Sequence, residues 1–168
     1  MTTKFSIEHD FPTISLEKFV TYLNDPKLNK LLEKELDFDE RKMIDKKEDA
    51  NGDIEWSFIV KKTGEMPSAL KKLIQGDCFS WKEISRYVPK EHCIYWEIVP
   101  DVNLVKFHGE GVWRLKKLGK GCKRIIEGEI KVDIPLLGKV VESFIVNELK
   151  STYEIEPSVQ EKFYASIA

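Results

Sequence analysis

A chain of 168 residues with 42% hydrophobic and 33% charged residues has the composition of an ordinary globular protein. Its formal net charge is −2 and its basic and acidic residues are interspersed, which argues against a nucleic-acid partner because phosphate contacts need a basic excess. The three cysteines are odd in number and form no CxxC pair, so we expect neither a disulfide framework nor a metal site.

No signal for export or membrane insertion stands in the sequence. The first residues lack the apolar core of a secretory signal, and no stretch reaches the ~18 apolar residues that a membrane-spanning helix needs. We therefore expect a cytoplasmic protein that is not integral to a membrane. Because no repeat or linker interrupts the chain, residues 1–168 are expected to form a single domain.

The first elements in the chain are predicted to be one strand and two short helices. Alternation of apolar and polar residues over 4–11 predicts the strand. Helical spacing over 15–23 predicts the first helix, with Ser15 as its N-cap. A second helix is expected to start after Asp25 as N-cap, with Pro26 at its first position.

The middle of the chain predicts a hairpin and a short helix. Residues 36–45 and 53–62 are expected to be strands, since an Asn-Gly pair within 48–53 is a strong hairpin signal. Residues 66–74 predict a short helix. Because glycines flank this amphipathic helix, the segment 62–77 reads equally well as a mobile lid or as a fixed connection.

Four further strands are predicted before the chain changes period. They cover 78–88, 92–100, 104–118 and 122–134, and the last two are joined by a Gly-Lys-Gly turn.

At Pro135 the period of two gives way to a helical period. Proline suits a first helical position, so a long helix is expected to begin there and to end or kink at Pro157, with a capping box over 158–161. Its apolar stripe would comprise Leu136, Leu137, Val140, Val141, Phe144, Ile145, Leu149 and Tyr153.

This order of elements predicts an α+β fold in which a curved antiparallel sheet wraps a long C-terminal helix. Together with "FSIEHDFPTISLEKFVTYLNDPKLNKLL" near the start and "GEGVWRL…GCKRIIEGEIKVDIPLLGKVVESFI" near the end, it resembles the START/birch-pollen-allergen (SRPBCC) helix-grip superfamily. The second stretch is most similar to an uncharacterised bacterial START-like family, through Pro135, Gly138, Lys139 and Glu142. The resemblance implies a cavity between sheet and helix that takes lipids or other apolar molecules.

The side chains that would line such a cavity follow from strand parity, because successive residues point to opposite faces. In 92–100, the face of Ile94, Trp96 and Ile98 is taken as inward because this leaves Glu97 in solvent. In 78–88, the aromatic face is taken as inward. A filled core is the alternative interpretation of the same set. With the helix residues added, the expected cavity lining is Trp56, Phe58, Trp81, Trp96, Phe107, Trp113, Ile126, Ile130, Val141, Phe144 and Ile145.

Three glycines fall on predicted inward faces: Gly109, Gly111 and Gly128. Glycine within a strand marks a bend or the close approach of another group. Curvature of the sheet is the favoured interpretation, and room for a ligand is compatible with it.

Few residues suit catalysis, and none is predicted to be catalytic. His108 and Glu110 fall on the solvent face of their strand. His9 falls on the inward face of its strand, but a histidine there is more often a hydrogen-bonded core residue than a catalyst. Glu83 and Arg86 are candidate polar groups for the pocket, and parity allows only one of them inside.

Three hypotheses about function remain. The first is binding or transfer of a lipid or other apolar small molecule, without a cofactor. The second is an enzyme of the polyketide cyclase or dehydratase type, which needs polar groups converging in the cavity. The third is a protein-interaction module with a filled core and an exposed apolar patch. Transient contact with a membrane or a protein stays open.

Overall fold

The computed structural model describes residues 2–101 and 106–167. It contains four helices and seven strands in these ranges. In chain order they are β1 (Thr3–Phe11), α1 (Leu16–Thr21), α2 (Pro26–Glu35), β2 (Glu40–Glu48), β3 (Ile54–Thr63), α3 (Ser68–Ile74), β4 (Cys78–Val88), β5 (Cys93–Pro100), β6 (Lys106–Leu118), β7 (Gly121–Asp133) and α4 (Gly138–Ser166). The predicted start of the β6 strand, at 104–105, lies outside the described residues.

The strands form one antiparallel sheet in the order β1-β7-β6-β5-β4-β3-β2, and the curved sheet packs against α4. Sequential strands from β2 to β7 are neighbours, and β1 closes the other edge beside β7. The predicted α+β class and the long helix against a curved sheet are therefore confirmed. No helix in the described residues is both long enough and apolar enough to cross a bilayer.

Local sequence signals account for most boundaries in the first half. The Ser15 hydroxyl accepts a hydrogen bond from the Lys18 backbone N–H, and the Asp25 carboxylate accepts from Lys27 and Leu28, so both predicted N-caps are present. The Asn-Gly hairpin also forms, with Gly52 at a φ of +84° that favours glycine.

The strand predicted over 36–45 begins later than expected, at Glu40. Leu36 instead caps the C-terminus of α2, and Asp37 takes a φ of +56° that stops the helix. Leu36 is buried there, so its apolar character belongs to the end of the helix and not to the strand.

The turn between β7 and α4 differs from the predicted helix start. Leu136 has a φ of +66°, and the helix begins only at Gly138. The predicted apolar stripe is wrong at three positions, because the side chains of Leu136, Leu137 and Val140 are exposed. A Cβ on Gly138 would collide with the Val132 carbonyl oxygen, so only glycine allows the helix to start this close to the strand.

Lys139 and Glu142 tie the start of α4 to β1. The Lys139 Nζ lies 2.8 Å from the Thr3 hydroxyl oxygen, and that hydroxyl donates to the buried Glu142 carboxylate at 3.5 Å. The Pro-x-x-Gly-Lys segment therefore has a structural explanation: it docks the helix against the edge of the sheet.

The helix was expected to kink or end at Pro157, and the end is wrong: α4 continues through Pro157, so Ser158 does not cap a separate helix. The turns beyond Pro157 bury Val159, Phe163 and Tyr164 in a cluster with residues of α1 and α2. Burial of such side chains stabilises by about 1.5–3 kcal/mol each, which outweighs the cost of about 3 kcal/mol for an internal proline.

Candidate functional site

A cavity of about 440 Å³ lies between the inner face of β3–β6 and the middle of α4, with α2 at its side. This volume falls within the range of small-molecule sites. All four tryptophans of the chain line it, one from each of four adjacent strands: Trp56, Trp81, Trp96 and Trp113.

These four tryptophans form an aromatic wall of the cavity, in which residues paired between neighbouring strands lie side by side in rows across the sheet. Small residues separate the large ones along one row, which runs from β3 to β1 through Trp56, Ser85, Trp96, Gly111, Gly128 and Phe5. The Trp96 indole extends over its small neighbours toward Phe5, with the two ring centroids 6.1 Å apart.

The room above two of the predicted inward glycines is filled by this indole. A Cβ on Gly111 would overlap Cζ2 of Trp96, and a Cβ on Gly128 would lie 2.5 Å from the same atom. At Gly109 the nearest groups are Phe107 and Ile130, at 2.9 and 3.0 Å. The glycines therefore admit neighbouring side chains of the protein, and the open volume lies elsewhere.

The structure places the eleven expected lining residues in two groups. Six of them face the cavity: Trp56, Trp81, Trp96, Trp113, Phe144 and Ile145. Five do not line it: Phe58, Phe107, Ile126, Ile130 and Val141.

Those five residues share the inward face but are covered by other side chains. The Phe58 ring lies 4.1 Å below the Arg41 guanidinium, and Ile126 and Ile130 are fully buried in the packed core. Phe107 and Val141 border a much smaller gap beside α3.

Parity allowed one of Glu83 and Arg86 inside, and Glu83 is the one that lines the cavity. Arg86 is exposed on the outer face and pairs with Asp53 at 2.5 Å. The Glu83 carboxylate accepts a hydrogen bond from the Trp81 Nε1–H at 3.1 Å.

One end of the cavity is closed by a buried ionic network that the sequence analysis missed. Arg124 is fully buried, and its Nη1 donates to Glu156 at 2.5 Å. Gln160 also donates to Glu156, at 2.8 Å, and Glu156 and Gln160 both line the cavity. The guanidinium carbon lies 4.6 Å from the centre of the Trp113 ring.

His9 belongs to this network and not to the cavity lining. Its Nδ1 lies 3.1 Å from Nη2 of Arg124, which donates to it. Burial, and then the charge of Arg124, lower the pKa of His9 to about 4, while Glu156 acts in the opposite direction. His9 is therefore neutral near pH 7 and serves as an acceptor for Arg124, as expected of a core histidine.

Tyr153 packs edge-on against Trp113 in the cavity wall, with the ring centroids 5.9 Å apart. Burial raises the pKa of Tyr153 well above its usual range, and the Glu83 and Glu156 carboxylates raise it further. The phenol therefore stays protonated and can donate a hydrogen bond.

The cavity is bordered on another side by α2, β2 and the chain after β3. Lys62 forms an ion pair with Glu148 at 3.8 Å and donates to the Leu36 carbonyl at 3.3 Å. The Arg41 guanidinium donates to Asn29 at 2.7 Å. Met66 lines the cavity just before α3, and Leu70 of α3 is buried.

Within the described residues, one set of side chains has the spacing of a metal site. A ring nitrogen of His108 and oxygens of Glu110 and Glu129 lie within 4.8 Å of one another. His108 and Glu110 are exposed on the outer face of the sheet, as parity predicted, and away from the cavity.

Comparison with solved structures shows the same fold in proteins of low sequence identity. TTHA0849 from Thermus thermophilus is 14% identical, with a TM-score of 0.69 over 99% of this chain and 100% of that one. Norcoclaurine synthase from Thalictrum flavum, in complex with a transition-state analogue, is 21% identical, with a TM-score of 0.60 over 96% and 98%.

The aromatase/cyclase StfQ of the steffimycin biosynthetic pathway is 12% identical, with a TM-score of 0.64 over 98% of this chain and 52% of that di-domain protein. These likenesses confirm the helix-grip fold that the sequence resembled. No curated protein sequence matches the chain. The family model described as "Protein of unknown function (DUF2505)" matches residues 6–163, and the chain therefore belongs to that family.

Proposed function

We propose that the protein binds an apolar small molecule in the cavity between the sheet and α4. The observation that carries the proposal is the aromatic wall: a volume of about 440 Å³ bordered by four indoles and by Phe144, Ile145 and Leu149 of the helix. Aromatic and aliphatic side chains that border a cavity of this size make fewer dispersion contacts than those of a packed core, so covering them with an apolar ligand is favourable.

Two kinds of relative support this proposal. Norcoclaurine synthase was solved with a transition-state analogue, and StfQ is described as an aromatase/cyclase of a biosynthetic pathway. The fold is thus known to accommodate small organic molecules. All three cysteines of the present chain are free, which fits the cytoplasmic location that we propose for it, as one domain over residues 1–168.

The proposal is tested by titration with N-phenyl-1-naphthylamine, a neutral apolar dye whose emission rises in an apolar site. We expect saturable binding at one site per chain. Ser85 lines the cavity between Trp56 and Trp96, so a Ser85→Phe variant should fill part of the volume and weaken binding. Ser6→Phe, on the exposed face of β1, is the matched control and should bind as the wild type does.

Equal binding by wild type and Ser85→Phe would place the dye outside the cavity. Absence of binding to the wild-type protein would contradict the proposal itself.

A second candidate function is an enzyme of the cyclase or dehydratase type. It is favoured by polar groups that converge on the cavity from opposite sides, namely Glu83 on β4 and Tyr153 and Glu156 on α4. A ligand recovered from the purified protein would separate the two functions. Prolonged incubation with the protein would leave a carried molecule unchanged in mass, whereas a substrate would be converted.

An interaction module required a filled core, and the open volume counts against it.

A further inference from the structure

Glu83 occupies the middle of the inner face of the sheet. In the strand register it stands directly opposite Phe58 on β3 and Ile98 on β5, and both of these side chains are buried. Glu83 itself is half-buried, and a half-buried carboxylate between apolar neighbours is stabilised by a cation or by hydrogen-bond donors. Whether the protein itself balances the Glu83 charge therefore depends on the side chains around it.

Among the described residues, no side chain forms an ion pair with Glu83. Its one hydrogen bond there comes from the Trp81 indole. Lys62, which lines the same cavity, is paired with Glu148. Arg41 stacks on Phe58 and donates to Asn29.

The groups that face Glu83 from α4 add no positive charge. Tyr153 is a neutral phenol, and Glu156 is an acid whose charge is already matched by Arg124. Of the other acids that line the cavity, Asp37, Glu65 and Glu97 are exposed, and Glu148 is paired with Lys62. The charge that is left without a cation inside the cavity is therefore that of Glu83, and it would repel an anionic ligand.

The four tryptophans also favour a positively charged ligand. The face of an indole ring carries negative potential and attracts a cation within about 6 Å of its centre. A cavity that holds a carboxylate and is lined by four indole rings therefore favours a positively charged group over a neutral hydroxyl, which would gain only a hydrogen bond.

We propose that the molecule bound in the cavity is a hydrophobic amine, whose ammonium group pairs with the Glu83 carboxylate while its ring body packs against the tryptophans. This inference rests on the proposed function and names the ligand class for the same cavity. The ammonium supplies the charge partner and the hydrogen-bond donors that the protein does not provide at Glu83.

The test uses three probes with one ring system and three end groups: 2-naphthylmethylamine, 2-naphthylmethanol and 2-naphthoate. Each is titrated at pH 7 against the wild-type protein saturated with N-phenyl-1-naphthylamine. We expect the amine to displace the dye at about a tenfold lower concentration than the alcohol. The ammonium adds the attraction of opposite charges to a hydrogen bond that the alcohol can also make, and a tenfold ratio corresponds to about 1.4 kcal/mol. The carboxylate should be the weakest competitor.

The variant Glu83→Gln removes the charge and keeps an oxygen that accepts from Trp81. In it the preference for the amine over the alcohol should vanish. Because both probes compete with the same dye, the ratio of their displacing concentrations does not depend on how tightly the variant holds that dye. Glu55→Gln, on the exposed face of β3, is the matched control and should keep the wild-type preference.

Equal displacement by amine and alcohol in the wild type would overturn this inference and leave the proposed function standing. An amine preference that survives Glu83→Gln would also overturn it. Failure of the dye to bind the wild-type protein would instead contradict the proposed function.

Discussion

Two carboxylates face the same cavity in opposite electrostatic settings. Glu156 on α4 accepts from the buried Arg124 at 2.5 Å and from Gln160 at 2.8 Å. Glu83 on β4 accepts one hydrogen bond, from the Trp81 indole, and has no ion-pair partner in the part of the chain that the structure describes. The first carboxylate is satisfied by the protein, and the second still has an oxygen to offer a ligand.

This difference separates a structural charge from a functional one. A buried pair such as Arg124 and Glu156 fixes how α4 sits on β7, and breaking it leaves an uncompensated charge in the interior. A carboxylate that remains under-paired in a cavity weakens the empty protein and is favourable once a donor arrives. The two sites should therefore respond to mutation with opposite signs.

The largest effect is expected at the paired site. Arg124→Met should lower the free energy of unfolding by about 3–5 kcal/mol, because Glu156 is then buried without its cation. Urea denaturation measures this loss. The double variant Arg124→Met/Glu156→Leu should recover much of it, and a loss below about 1 kcal/mol in the single variant would show that the pair is not structural.

The aromatic wall beside Glu83 offers the next test. Gly128→Ala should cost about 1–3 kcal/mol, because the new methyl group would lie 2.5 Å from the Trp96 ring and 2.8 Å from the Phe5 ring. Thermal unfolding measures the cost. Gly76→Ala is the control, since a Cβ there meets nothing within 4 Å. An equal loss of stability in both variants would contradict the position of the Trp96 indole over Gly128.

His9 makes the paired network sensitive to pH. Its folded pKa of about 4 lies below the ordinary value of 6.5, so between these values the unfolded chain binds more protons. Stability should be constant above pH 6.5 with respect to this group and fall as the pH drops toward 4. Because solvent screens the partly exposed ring, we expect a total loss of about 2 kcal/mol.

Urea unfolding at a series of pH values measures this slope. His9→Asn keeps an acceptor for Arg124 and cannot be protonated, so its stability should vary less between pH 6.5 and 5. An identical slope in both proteins would assign the pH dependence to other groups.

The smallest effect is expected at the under-paired site, with the opposite sign. Glu83→Gln should raise the free energy of unfolding of the ligand-free protein by about 0.5–1 kcal/mol, as often happens when a binding group is neutralised. Thermal unfolding without ligand measures the gain. A clear loss of stability would mean that the Glu83 charge is already balanced within the protein.

Strand periodicity predicted the inner face of the sheet well. Trp56, Trp96 and Trp113 all point inward as parity required, because side chains alternate strictly along a strand. Parity assigns a side chain to a face and does not say what covers it there. Phe58 is hidden below Arg41 and Ile130 lies in the packed core, and neither fact follows from alternation.

The ionic network was missed for a related reason. Arg124 has the same inward parity as Ile126 and is paired in the register with His9, so its sequence position did mark a buried charge. Its partner Glu156 is 32 residues further along and comes from α4. Glu156 follows Tyr153 by three residues and lies on the same helix face, but a carboxylate there carries no apolar signal.

The most direct test of the central claim is native mass spectrometry on freshly purified protein, repeated after organic extraction and after incubation with N-phenyl-1-naphthylamine. We expect a species heavier than the bare chain that loses its extra mass on extraction, and a one-to-one complex with the dye. A bare chain under all three conditions would contradict a ligand-binding cavity.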